Sequence, residues 1–234
     1  MFKLAIIPAR SGSKGLKNKN LRKINGKSLL SHTISTAKNC KIFDKIVVST
    51  DSRNIANEAK KSGISITSLR PKNLSKDSTP TLDVIKHELE ILSKNNIKPD
   101  VITLLQPTSP LRSTNIIKKS IKLLQNSNST SVISVKKVKT HPDLSFQYFN
   151  NYLKPLKSNF ERYSQRQKRS ELFFPSGSVY TFWRKTLEKY DSIYGPKIKP
   201  IFDDEISGLD IDDMFDLFVA DMYARNWSRF LKNQ

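Results

Sequence analysis

Short, nearly continuous apolar runs recur through the first two-thirds of the chain, separated by stretches with helical spacing. Lys3–Pro8, Lys45–Ser49, Ile64–Leu69, Val101–Leu105 and Ser131–Val135 are rich in Ile and Val. Such runs are how parallel strands covered on both faces read. Ser52 is placed to cap a helix that runs to Lys61 and stops at Gly63. Thr79-Pro80 reads as a cap followed by a first-turn proline, after which Leu82, Ile85, Leu89 and Leu92 form one apolar stripe. Ser113 caps a third helix carrying Ile117, Ile121 and Leu124. Strand–helix alternation at this spacing predicts an α/β fold with a doubly wound, mostly parallel sheet, which binds ligands at the carboxyl ends of its strands.

From His141 to about Pro175 the pattern changes. Phe146, Tyr148, Phe149, Tyr152, Phe160 and Tyr163 alternate with basic residues and show no clear helical period. An inserted lobe or an oligomer contact at about 141–175 fits this better than a second independent domain, so residues 1–234 read as one domain. Ser178–Trp183 is a further candidate strand, and Asp212–Trp227 a closing amphipathic helix with Phe215, Phe218 and Met222 on its apolar face. There is no repeat and no low-complexity linker.

At 234 residues the chain can bury a full core. No stretch approaches the length of a membrane-spanning helix. The segment Met1–Pro8 lacks a basic leader and a long apolar region, and reads as a buried strand rather than a signal peptide. The single cysteine, Cys40, excludes an internal disulfide framework and fits a reducing compartment, so the expected location is cytoplasmic. Forty-one Lys and Arg against twenty-one Asp and Glu give a formal charge of +20. The lysines spread over the whole length, and no zinc-knuckle spacing, aromatic RNA-binding pattern or arginine-rich arm accompanies them. Charge alone therefore does not define a nucleic-acid binder.

The first strand runs directly into Pro8-Ala9-Arg10-Ser11-Gly12-Ser13-Lys14-Gly15-Leu16-Lys17-Asn18-Lys19-Asn20. A strand end followed by glycines, hydroxyl residues and cations has the chemistry of a phosphate cradle. Gly12 and Gly15 let the backbone turn its N–H groups toward an anion. Arg10 can fork onto two phosphate oxygens, and Lys14 and Lys19 act as point charges. The spacing is neither that of a Walker loop nor GxGxxG, and a solvated basic turn is the plainer alternative. Near the C-terminus, Asp210-Ile211-Asp212 puts two carboxylates on one side of an extended segment. Two hard oxygen ligands there suit Mg²⁺; the alternative is acidic charge at the N-terminus of the following helix.

Ile6-Ile7-Pro8-Ala9-Arg10-Ser11-Gly12-Ser13-Lys14-Gly15, with Lys19-Asn20, resembles the signature of the acylneuraminate (CMP-sialic acid, CMP-nonulosonic acid) cytidylyltransferases. Further matches follow in order: Val48-Ser49-Thr50-Asp51, Leu69-Arg70-Pro71, Lys76-Asp77-Ser78-Thr79 and Leu104-Leu105-Gln106-Pro107-Thr108-Ser109-Pro110-Leu111-Arg112. Arg166-Gln167, Gly177-Ser178-Val179-Tyr180 and Asp210-Ile211-Asp212 complete the set. The resemblance implies a Rossmann-like fold of the nucleotide-diphospho-sugar transferase type with a small inserted dimerisation lobe, and hence a homodimer. It implies CTP as co-substrate, Mg²⁺ as cofactor and transfer to N-acetylneuraminate or a related nine-carbon sugar acid, giving a CMP-sugar and pyrophosphate.

By the same resemblance Arg10, Lys14 and Lys19 would neutralise the triphosphate and Asn20 would hold the nucleotide. Arg70, Thr79 and Thr81 would recognise base and ribose, Gln106 would reach cytidine or the sugar acid, and Arg166 would take the sugar carboxylate. Asp210 and Asp212 would bind the metal; Arg10, Lys19, Arg166 and Asp212 are the expected catalytic set. Tyr180 reads as packing. Three departures stand out: Lys17 where many relatives have proline, Ser176 in place of asparagine, and Asp213-Met214-Phe215 after the metal carboxylates. Legionaminic, pseudaminic, Kdn or Kdo activation is the near alternative. A non-catalytic basic nucleic-acid-binding module is the distant one, with neither nucleic acid nor membrane expected as partner.

Overall fold

The computed structural model describes residues 1–12, 15–66, 68–157 and 170–232. The chain enters the sheet at once with β1 (Lys3–Pro8), turns through the short pair β2 (Lys23–Ile24) and β3 (Lys27–Ser28), and continues in α1 (Leu29–Asn39) to β4 (Lys45–Ser49). Next come α2 (Arg53–Lys61), α3 (Thr81–Lys94), β5 (Val101–Leu104), α4 (Thr114–Gln125) and β6 (Ser131–Lys137). A hairpin of β7 (Phe146–Phe149) and β8 (Tyr152–Pro155) follows, then β9 (Phe173–Trp183), α5 (Arg184–Tyr190), β10 (Ile198–Phe202) and α6 (Met214–Lys232).

The main sheet has the order β10-β6-β9-β5-β1-β4. β1 pairs in parallel with β4 (Leu4 beside Lys45) and with β5 (Leu4 beside Ile102), and β10 pairs in parallel with β6. Only β9 runs against its neighbours, β5 and β6. The α/β fold with a mostly parallel sheet is thus as the sequence predicts. β1 shows why its apolar run is unbroken. Leu4 and Ile6 face a layer with Ile85, Leu89 and Leu92 of α3, while Ala5 and Ile7 face Leu30 and Ile34 of α1 and Ile117, Ile121 and Leu124 of α4. Alternate residues leave opposite faces of a strand, so a strand covered twice must be apolar at every position. Ser52 and Ser113 cap α2 and α4 by accepting from the N–H groups of Ile55 and Ile116, and Gly63 takes a positive φ of 79° just after α2.

Several expectations are overturned. Ile64–Leu69 forms no strand over its described residues, which leaves β4 at the sheet edge. Ile64 and Ile66 still pack on the core, but the segment's backbone is occupied differently: the Ile64 N–H donates to the Ala59 carbonyl, and that of Arg70 to the Thr50 carbonyl at 2.7 Å. Thr79 does not cap α3. Pro80 stands at the cap position, and the Thr79 hydroxyl donates instead to the Asn73 carbonyl. On α6 the predicted apolar face is turned outward, with Phe215, Phe218 and Met222 exposed while Leu217 and Ala220 pack with Leu16, Ile24 and Leu29. The helix start is set by Asp213 and Asp216, whose carboxylates accept from each other's backbone N–H groups, the reciprocal arrangement of a capping box. Within 141–157 the aromatic stretch folds as the β7–β8 hairpin, whose turn residues Asn150 and Asn151 both have positive φ, as a type I′ turn requires. Phe146, Tyr148, Phe149, Tyr152 and Leu153 of that hairpin are exposed.

Candidate active site

In chain order β1 is followed by β4 on one side and by β5 on the other, so the connections leaving β1 and β5 diverge at their carboxyl ends. That is the switch point where doubly wound sheets bind ligands. The 9–22 loop leaves β1 there, and Gln106 follows β5. Because β9 is antiparallel, its first residues, including Ser176 and Gly177, lie at the same end, as does Asp203 just past β10.

The basic loop is pinned from several sides. The Ala9 N–H donates to the Ser49 carbonyl at 2.8 Å. Both the backbone N–H and the hydroxyl of Ser11 donate to Asp51, at 2.8 and 2.7 Å. The Asn20 side-chain amide, nearly buried, donates to the Arg10 carbonyl at 2.9 Å, so it fixes the backbone from which the Arg10 guanidinium projects. That guanidinium is paired with Asp77. Lys19 Nζ lies 2.9 Å from Asp212 Oδ1. Gly15 is needed for proximity rather than for an unusual backbone angle: a Cβ there would sit 2.6 Å from the Asp212 carbonyl oxygen. Loop and acidic segment therefore touch, though nearly two hundred residues separate them in sequence. Lys14 lies outside the described residues, as does Arg166.

Arg70 is buried beside the loop. Its Nε donates to Ser49 Oγ at 3.1 Å and its Nη2 to the Ser49 carbonyl at 2.6 Å, so part of its fork clamps the end of β4. Burial pulls its pKa down, against the opposing pull of Asp51 and Glu88. Thr81 is the first residue of α3, and Thr79 stands two residues before it. Tyr180 is packing, as expected: it is buried, lies edge-on to Tyr194 at 6.4 Å, and burial raises its phenol to about 12.

The two candidate metal carboxylates differ in environment. Asp212 is exposed apart from its pairing with Lys19. Asp210 is mostly buried, and burial pushes its pKa up, opposed by a hydrogen bond from Thr108 and reinforced by Asp212. Its Oδ1 is buried with no protein partner. The helix-capping role that competed for these acids is taken by Asp213 and Asp216, which leaves Asp210 and Asp212 without that duty. Among the described residues no cluster of three or more His, Cys, Asp or Glu is placed to hold a metal. The donor set present, two carboxylates with one orphaned buried oxygen, fits the way Mg²⁺ is held by one or two carboxylates and completed by substrate phosphates and water.

Three contributors carried no assigned role in the sequence. Arg112 is buried at 3% exposure; it donates from Nη2 to the Gln106 carbonyl and from Nη1 to Thr33 Oγ1 at 3.3 Å. Burial lowers its pKa to about 9 against the pull of Asp203 and Asp210. Asp203 is the second: it accepts from Ser176 Oγ at 2.5 Å, and burial raises its pKa. Asp77 is the third, through Arg10. Arg112 and Asp77 stand inside matched motifs, whereas Asp203 carries no local signal. The departure at Ser176 resolves inward, since its hydroxyl faces Asp203 and Ser134 within the floor. Cavities of about 420 and 630 Å³ open around Trp183, at the opposite end of the strands, and none of the candidate residues lines them.

A mostly parallel sheet with a basic loop, a buried arginine and an acidic pair at its switch point defines a nucleotidyltransferase-type site. The cytidylyltransferase family profile matches residues 4–197. The chain is 36% identical over 220 residues to a CMP-N,N′-diacetyllegionaminic acid synthase of Legionella pneumophila, covering 91% of this chain and 92% of that one. It is 32% identical to an N-acylneuraminate cytidylyltransferase of Escherichia coli, covering 93% of this chain and 51% of that protein. A solved CMP-2-keto-3-deoxy-manno-octonic acid synthetase complexed with CTP superposes with a TM-score of 0.72 at 16% identity, covering 97% of this chain and all of the other. The chain belongs to the cytidylyltransferase family.

Proposed function

We propose that the chain transfers CMP from CTP to N-acetylneuraminate or a closely related nonulosonic acid, such as diacetyllegionaminate, releasing pyrophosphate. The observation that carries the proposal is the meeting of the basic loop with the acidic pair, through the Lys19–Asp212 contact and the close approach of Gly15 to the Asp212 carbonyl. A triphosphate needs cations and a metal platform on facing sides, and these two segments supply them together. The sugar hydroxyl oxygen attacks the α-phosphorus in line, the bond to the β-phosphate oxygen breaks, and the hydroxyl proton passes to solvent. Arg10, Lys14 and Lys19 bind the phosphates and offset the charge that grows on departing pyrophosphate. Asn20 keeps Arg10 aimed, and Arg70, Thr79 and Thr81 flank the base and ribose. Gln106 orients the acceptor, whose carboxylate takes the bidentate fork of Arg166.

Asp210 and Asp212 would hold Mg²⁺, which when bound would supply positive charge to the phosphate oxygens. Arg10, Asp77 and Asp212 are partly to largely solvent-exposed, whereas Lys19 is mostly enclosed. Exposed pairs are worth only about 0–1 kcal/mol in themselves, so the main opposition to phosphate binding is the negative charge of the acids it displaces. The enzyme is read as cytoplasmic, a single domain, and dimeric through the lobe at about 141–175, whose exposed hairpin aromatics support that last reading. The test is pyrophosphate release with CTP, Mg²⁺ and a panel of nonulosonic acids. Turnover with at least one acid is expected. Absence of turnover with every acid, together with tight salt-sensitive RNA or DNA binding, overturns the proposal.

A further inference from the structure

We infer that Arg112 is a positioning residue of this site, holding the Gln106 backbone in place and supplying positive charge to the floor that carries Asp203 and Asp210. The inference rests on the reading of Asp210 and Asp212 as the metal carboxylates. Three elements meet at this side chain. It stands one residue before the cap of α4, its Nη1 reaches Thr33 on α1, and its Nη2 holds the carbonyl of Gln106 just after β5. Gln106 and Asp210 both approach Gly177: a Cβ there would be 3.2 Å from Gln106 Oε1, 3.2 Å from Ser109 Oγ and 3.5 Å from the Asp210 carboxyl carbon. Acceptor-side amide, buried serine and metal-side acid thus crowd one glycine, and Arg112 is the cation behind them.

The charges sharpen the argument. Asp203 and Asp210 are the carboxylates that act most strongly on Arg112, yet among the described residues neither closes to ion-pair contact with it. Arg112 Nε and Asp210 Oδ1 are each buried without a protein partner. An arginine kept for packing strength alone would be expected to close such a pair, because unpaired buried charge is costly. Lys19 and Lys136 also act on Asp210, and its Oδ1 is left buried without a protein partner. A divalent cation held by Asp210 and Asp212 would use that oxygen. Arg112 offsets the negative charge of Asp203 and Asp210, while its fork holds the Gln106 carbonyl and Thr33 and so fixes the floor beside those acids.

The test uses the full chain and reads metal binding apart from turnover: Mn²⁺ binding followed by electron paramagnetic resonance, alongside steady-state kinetics and thermal melting. Arg112→Lys keeps the charge and loses the fork. It is expected to lower kcat about tenfold or more with KM for CTP nearly unchanged, and to weaken Mn²⁺ binding severalfold, since misplacement by an ångström costs up to about a hundredfold. Arg112→Met together with Asp203→Asn removes one charge of each sign. It is expected to regain most of the melting temperature lost by Arg112→Met alone while kcat stays low, because the Gln106 carbonyl remains unheld. Parental kcat and Mn²⁺ affinity in Arg112→Lys, with only a lowered melting point, overturns the inference and leaves the enzymatic reading intact. A parental chain that neither binds Mn²⁺ nor turns over sinks both.

Discussion

Replacing Gly15 by Ala tests the contact on which the candidate site depends. Gly15 has no positive φ to relieve, so alanine meets no backbone penalty there and only the contact is perturbed. The new Cβ would lie 2.6 Å from the Asp212 carbonyl oxygen, where ordinary contact begins near 3.4 Å, so loop and acidic segment must part by about 0.8 Å. The obstructing atom is main chain and cannot swing away as a side-chain tip does. Overpacking of this kind costs about 1–3 kcal/mol, partly offset by about 0.4–1 kcal/mol from the stiffer unfolded chain. A shift approaching 1 Å at a positioned group costs up to about a hundredfold in rate. The expected loss in kcat is therefore about 10- to 100-fold, equivalent to about 1.4–2.7 kcal/mol of transition-state stabilisation. The assay is pyrophosphate release at saturating CTP and sugar acid. Gly26→Ala is the control: its φ is +79°, yet nothing lies within 4 Å of the added Cβ. It is expected to lose about 1–2 kcal/mol of stability from left-handed strain and to keep its turnover. Parental kcat in Gly15→Ala, or an equal kcat loss in Gly26→Ala, refutes the reasoning.

Asp212→Asn is expected to reduce metal-dependent turnover by about a hundredfold or more while the melting temperature changes little, because the side chain is exposed and paired only with Lys19; full activity contradicts the metal role. Cys40 is buried, donates to the Thr114 carbonyl, and burial pushes its thiol to about 11. A thiol reagent at pH 8 is expected to leave the native chain unlabelled and to label it on unfolding, and rapid native labelling would contradict that placement. The Ser28 and Ser31 hydroxyls hold the Glu58 carboxyl below its ordinary 4.5. A lowered folded pKa gives stability that is present above about 4.5 and lost as pH falls through the folded value. Glu58→Gln should flatten that acid-side decline in melting temperature, and curves that remain parallel to the parent's would show that the serines do not act through the ionised carboxyl.

Legibility followed the range over which the physics acts. β1, β4, β5 and β6 announce themselves because a doubly covered strand must be apolar throughout, and the serine caps of α2 and α4 are local chemistry. α1 hides its face among Ser31, Thr33, Ser35 and Thr36, residues that compete with helical hydrogen bonding and dilute the stripe. β10 carries Pro200, which argues against a strand except at an edge, where it lies. The outward turn of Phe215, Phe218 and Met222 was hidden for the opposite reason: their spacing is helical, but which face meets Ile24 and Leu29 depends on the path of the distant N-terminal loop. At the site, the cradle and the acidic pair were legible as separate motifs. Their contact was not, and Asp203 had no signal because the serines that act on it, Ser176 and Ser178, come from a strand distant in sequence.

The +20 charge gains a clearer meaning from the site itself. Arg10, Lys19, Arg70 and Arg112 stand there against Asp51, Asp77, Asp203, Asp210 and Asp212, so the described part of the site is close to balanced. The excess lies elsewhere on the molecule and contributes at most a long-range, salt-screened attraction for anions. Within the site, Arg10 and Lys19 are each already paired with an acid. On the proposed reading, triphosphate alone must pull Arg10 and Lys19 away from Asp77 and Asp212, stranding negative charge beside its own. Metal alone must draw Asp212 from Lys19. With both present, Asp210 and Asp212 would hold the metal while Arg10 and Lys19 hold the phosphates, so each would lower the cost of binding the other. That reciprocity favours metal-bound CTP over free CTP, and it follows from ion pairs that a reading of either motif alone does not contain.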